Sequence, residues 1–100
     1  MKDLDRQLLA AAAEGNTQKV KQLIQQGADV NAKNESNETA LHLACAGEHK
    51  ETVMALYNAN AFTELHDNRG KKPIQRAHFM GTTYRALYSA LENEDYWWGM

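Results

Sequence analysis

The stretch Thr39-Ala40-Leu41-His42-Leu43-Ala44 decides the fold. A shift of 33 residues carries Ala44 onto Ala11 in one direction and Ala77 in the other. The same shift carries Leu41 onto Leu8 and Ile74, and Val53 onto Val20, with no gap. Self-similarity at that period marks a repeat architecture, in which each unit buries its apolar face only against its neighbours. Within the stretch, the Thr39 hydroxyl is suited to accept a backbone N–H two or three residues on and so cap a helix. Leu41, Ala44 and Cys45 follow at i, i+3 and i+4 and form one packed face of that helix.

Upstream, residues 4–14 contain Leu8, Leu9 and the run Ala10 to Ala13, the residue type with the best intrinsic helix propensity. Gly15-Asn16 breaks this run, which predicts a first helix of about two turns. Thr17 is then the expected N-cap of a second helix, whose apolar face is Val20, Leu23 and Ile24. Gly27 stands just after the last periodic residue, where a left-handed turn favours glycine. Between Ala28 and Glu38 the pattern turns polar, and Asn31, Asn34, Ser36 and Asn37 supply turn chemistry.

Downstream, an outer helix is expected from about Lys50 to Asn58 with Val53, Leu56 and Tyr57 inward. Asn60 takes the place of the glycine stop, asparagine being the next most tolerant residue for the left-handed conformation. Asp67-Asn68-Arg69-Gly70 reads as a turn. Pro73 to Met80 reads as a third inner helix with Ile74 and Ala77 in the core, and Tyr84, Leu87, Tyr88 and Leu91 as a closing outer helix.

The gapless period, the T-A-L-H-L-A run and Gly27-Ala28-Asp29-Val30-Asn31-Ala32 together resemble the ankyrin repeat, and the resemblance spans residues 4–91. It implies an all-α solenoid of helix-turn-helix units with short β-hairpin-like fingers, in one domain over residues 1–100. The expected repeats are 4–33, 34–66 and 67–91, with a capping tail over 92–100. Ala40 departs from the family, where proline is usual at the first helical position, and Pro73 keeps that feature. Glu48 stands where the family has glycine, so Gly47 is expected to serve the turn one residue early. His49 matches the family's turn histidine. The drift of the outer units from consensus fits a stack that ends in caps.

Composition limits the function classes. A chain of 100 residues with 43% apolar residues and a formal charge of −2 is globular and not generically nucleic-acid binding. The single cysteine, Cys45, cannot form an internal bridge, and no apolar run approaches the roughly 20 residues of a membrane span. A cytoplasmic protein, monomeric in isolation and without membrane association, is the expectation. The triplets Asn34-Glu35-Ser36 and Asn37-Glu38-Thr39 match the glycosylation pattern, which matters only in a secreted chain, and are read as chance.

Three chemical readings compete with a binding module. His42, Cys45 and His49 at i, i+3 and i+7 could form a metal stripe, zinc first. Against it, the resemblance makes both histidines structural, and a free cysteine commonly acts as a small core residue. No phosphate-binding glycine motif, nucleophile elbow or H-E-x-x-H helix supports an enzyme. Residues 66–85 hold Arg69, Lys71, Lys72, Arg76 and Arg85 against Asp67, five bases against one acid. That cluster could attract RNA or an acidic partner, or be a solvated face, and the acidic remainder of the chain disfavours phosphate.

The resemblance implies that the chain binds another protein through fingertips and the concave helix face, with neither cofactor nor metal. The residues expected to make contact are Lys33, Glu35, Ser36 and Glu38 on the first finger and His66, Asn68, Arg69 and Lys71 on the second. Phe79 and Met80 align with Ala46 and Gly47 at the family's variable concave positions and complete the patch; aromatics and methionine are enriched at interfaces. Tyr96, Trp97 and Trp98 either plug the open end of the stack, the favoured reading, or form a second contact patch. An inhibitor, an immunity-type antidote and an adaptor all suit such a chain.

Overall fold

The computed structural model describes residues 2–76. Four α-helices form two antiparallel pairs: α1 (Asp3–Glu14) with α2 (Thr17–Gln25), and α3 (Ala40–Ala46) with α4 (Lys50–Asn58). A 3-10 turn over Pro73–Arg76 opens a third unit. The inner layer runs from α1 to α3 to this turn, and α2 packs against α4 in the outer layer. This is an all-α ankyrin-repeat stack.

The core repeats with the period. Leu8 and Leu41 are both fully buried, Ile74 nearly so, and Ala11 and Ala44 beside them let the inner helices approach. Val20 and Val53 close the core from the outer helices. Cys45 is buried in the same layer, and burial pushes its thiol up to about 12. That value keeps it protonated and unreactive at neutral pH.

Local chemistry departs from the sequence reading at three points. Helix α1 has 12 residues, not about two turns, and Asp3 and Asp5 favour its positive N-terminal end. Asn16, not Thr17, caps α2, accepting the Lys19 N–H at 3.2 Å. Thr17 is the first helical residue, and its hydroxyl instead meets that of buried Thr52 in α4 at 2.7 Å, joining the outer helices. Finally, Gly47 is right-handed at φ −85°, and Glu48 itself takes the left-handed conformation at φ 61°.

His49 explains both flanking glycines. Its Nε2 lies 3.0 Å from the Ala13 carbonyl across the unit boundary, and a β-carbon at Gly15 or Gly47 would collide with the imidazole. Asn60 ends α4's turn at φ 68°, as its residue type suggested.

Candidate functional site

Two fingers project from the helix pairs, one within residues 28–39 and one within 61–72. Each is organised by one side chain near its base. Asn34 Oδ1 accepts the Ser36 and Glu38 N–H groups, both at 2.9 Å, and its Nδ2 donates to Glu38 Oε1 at 2.9 Å. Asp67, one period later, accepts the Arg69 N–H at 2.9 Å and the Lys71 N–H at 3.0 Å. Around these anchors run equivalent turns, closed by Asn37 N–H to Asn34 C=O at 3.0 Å and Gly70 N–H to Asp67 C=O at 2.9 Å. Asn37 at φ 60° and Gly70 at φ 75° supply the left-handed residue that each turn requires.

The fingers are joined to each other. Asn68 donates its backbone N–H to the Ser36 carbonyl at 3.0 Å and its amide to the Glu35 carbonyl at 3.3 Å, and accepts from Asn37 Nδ2 at 2.7 Å. Below the tips, Arg76 bridges Glu38 at 2.6 Å and Asp67 at 2.9 Å. A guanidinium between two half-buried or buried carboxylates ties both fingers to the third unit. The Asn34 amide first, then Arg76, holds Glu38 below the usual carboxylate range. The Lys71 and Arg69 N–H groups, then Arg76, do the same for Asp67.

His42 fixes the second finger from within. The Thr39 N–H donates to its Nδ1 at 3.2 Å, so Nε2 carries the proton and donates to the Lys71 carbonyl at 2.8 Å. The Thr39 hydroxyl accepts the His42 N–H, which completes a capping box. Burial pushes the His42 pKa down, against the opposing pull of the Lys71 carbonyl and of Asp67. Both ring nitrogens are thus used within the fold, which takes His42 out of a metal stripe with Cys45 and His49.

The residues expected to contact a partner divide into three groups. Lys33, Glu35 and Ser36, and His66, Arg69 and Lys71, are exposed, and their side chains have no hydrogen bond or ion pair among the described residues. Glu38 and Asn68 also bond within the fold, Glu38 to Asn34 and Arg76 and Asn68 to the first finger. Phe79 and Met80 lie outside the described residues, as do Tyr96, Trp97 and Trp98. The basic cluster is partly neutralised: Lys72 pairs with Glu64 at 2.8 Å and Arg76 with its two carboxylates, which among the described residues leaves Arg69 and Lys71 as exposed charges, Arg85 lying outside them. Sequence reasoning read Asn34 and Asp67 as turn residues but missed the role of Arg76, whose bond to Glu38 spans 38 residues.

Paired helices in two layers, with interlocked fingers at one edge, define a repeat scaffold of the ankyrin type. A family model described as "Ankyrin repeats (3 copies)" matches residues 8–96, and the chain belongs to that family. It is similar to "Ankyrin repeat domain-containing protein 40" of Mus musculus, with 37% identity over 75 residues that cover 74% of this chain and 21% of the relative. The Homo sapiens protein of that name is likewise 37% identical, with 74% and 20% covered. "Tyrosine-protein kinase HTK16" of Hydra vulgaris is 37% identical over 72% of this chain and 10% of its own length. The chain therefore spans about a fifth or less of the length of these relatives. Ankyrin repeats are in general protein–protein interaction modules and typically not enzymes. Among the described residues no helix is long and apolar enough to cross a membrane.

Proposed function

We propose that this chain binds a partner protein with its fingertips, through Lys33, Glu35 and Ser36 on the first and His66, Arg69 and Lys71 on the second. Phe79 and Met80, which lie outside the described residues, belong to the proposed patch on the sequence reading alone. The observation that carries this reading is the interlock of the fingers: Asn68, Arg76 and His42 hold the fingers in place, while the six side chains named above have no hydrogen bond or ion pair among the described residues. A surface ordered before binding loses little conformational entropy on association, so few contacts suffice for affinity. The fingers carry charge of both signs, which favours a protein of mixed charge over a nucleic acid. Glu38 and Asn68 act in this reading as the frame of the site.

The test is affinity capture from native lysate with the wild-type chain and with a Lys33→Ala/Arg69→Ala double variant. Loss of the captured protein with an unchanged melting temperature is the expected result. Equal capture by both would remove the fingertips from the site.

A further inference from the structure

Each unit of the stack offers two backbone donors to whatever precedes it, and the first unit treats them differently. In the second unit, the Phe62 N–H reaches Asn31 Oδ1 of the preceding unit at 2.8 Å. Its counterpart one period earlier, the Asp29 N–H, is met at 2.7 Å by Asp5 Oδ1 from α1, so the first unit closes that donor by itself. The other donor is the second residue of each finger turn. The Asn68 N–H is taken by the Ser36 carbonyl, whereas the Glu35 N–H at the same place in the first finger has no acceptor among the described residues.

Beside Glu35 lies an open groove of about 680 Å³, lined by Arg6, Leu9, Asn34, Glu35 and Ser36. Leu9 occupies the position of His42 one period earlier and has no ring to send to the finger. Leu9 forms an apolar floor, only 6% exposed. Arg6 is exposed, and its guanidinium has no ion pair among the described residues. A groove with a free backbone N–H and a guanidinium asks for acceptors. A carboxylate satisfies the guanidinium bidentately, and an extended backbone satisfies the N–H as Ser36 satisfies Asn68.

We propose that an extended, carboxylate-bearing segment of a partner protein adds to the open edge of the first finger in this groove, with a backbone carbonyl on the Glu35 N–H and an Asp or Glu side chain on Arg6. The inference rests on the binding function above and names the partner chemistry of its first finger. Glu35 also lines the groove, so its carboxylate selects for a segment whose acid reaches past it to Arg6.

The test uses the full chain and a capped synthetic peptide of alternating Glu and Val, followed by amide chemical shifts. Saturable shifts at Glu35, Ser36 and Arg6 are expected, weakened about tenfold in R6Q. Glu35→Pro removes the N–H while suiting the second position of this turn, where proline is favoured, and should weaken binding by a similar factor. Glu35→Gln keeps the N–H and should bind at least as tightly. Shifts confined to the second finger, none at about 1 mM peptide, or undiminished binding by R6Q and Glu35→Pro would each overturn the proposal. So would shifts at Glu35 that depend on protein concentration alone, which would make a second copy the occupant. A captured protein lost with Arg69→Ala but retained by R6Q would sink this inference and leave fingertip binding standing.

Discussion

In the first unit the residue after the core leucine is Leu9; in the second it is His42. Leu9 only packs, and the junction beyond it leaves a groove under the first finger. His42 packs and also bonds to the next unit, so the second finger is held by His42, Asn68 and Arg76 together. The third unit has Lys72 and Gln75 at the places of Thr39 and His42. There the Lys72 N–H donates to Gln75 Oε1 at 2.7 Å, which preserves half of the capping box. A shared apolar core thus sets the spacing of the units, and polar residues decide how firmly each finger is held.

The largest effects should come from the shared core. Leu8→Ala and Leu41→Ala should each cost about 2–5 kcal/mol, because both remove fully buried side chains and leave cavities between helices. Urea denaturation of the full chain measures both. If Leu8→Ala costs far less than Leu41→Ala, the first unit is held mainly by local contacts and the equivalence of the two cores fails.

Replacing His42 by leucine makes the second junction resemble the first. It leaves the Thr39 N–H and the Lys71 carbonyl without His42 as partner, a loss of about 1–3 kcal/mol for buried polar groups. The same histidine sets a pH dependence. Its folded pKa lies below the ordinary 6.5, so as pH falls below 6.5 the unfolded chain takes up a proton that the folded chain refuses. The stability that His42 contributes is therefore full above that pH and declines as the solution is acidified. Glu38 and Asp67, whose pKa values are also lowered, withdraw their contributions in turn below the ordinary 4.5 and 3.8. His42→Leu should flatten the melting-temperature profile near pH 6 and leave the more acidic step in place. A wild-type profile that is level from pH 7 to 5 would remove His42 from this role.

Much of this contrast could be read in the chain. The period placed Leu8, Leu41 and Ile74 in one core, and Thr39 was a cap by residue type and position. Asn60 was left-handed for the reason its side chain suggests. These features are local or periodic, so a single sequence displays them. Arg76 was counted only as one base of a cluster because its partner Glu38 lies 38 residues away, and a pairwise contact at that distance has no periodic signature. Asn16 and Thr17 are both good caps; Asn16 takes the role, and the Thr17 hydroxyl meets Thr52 of α4, a contact 35 residues away that a local pattern does not display. Glu38 and Asn68 look like any polar fingertip residue until the second finger is laid beside the first.

The smallest effect tests the turns between paired helices, where Gly15 and Glu48 stand one period apart, both left-handed, at φ 77° and 61°. Gly15 is required twice: by its dihedral, and by the imidazole of His49, which a β-carbon there would strike. One period after His49 the sequence has Thr82 in place of the histidine, and Glu48 carries its side chain at the cost of backbone strain. A left-handed non-glycine residue costs about 1–2 kcal/mol, and glycine returns part of that by loosening the unfolded chain. Glu48→Gly should therefore stabilise by no more than about 1 kcal/mol. Gly15→Ala should destabilise by more than that, since strain and collision add. Comparing the two in thermal melts separates the causes: a large gain from Glu48→Gly would mean that dihedral strain dominates both turns. A harmless Gly15→Ala would mean that His49 moves aside, and its bond to the Ala13 carbonyl would then contribute little to the junction.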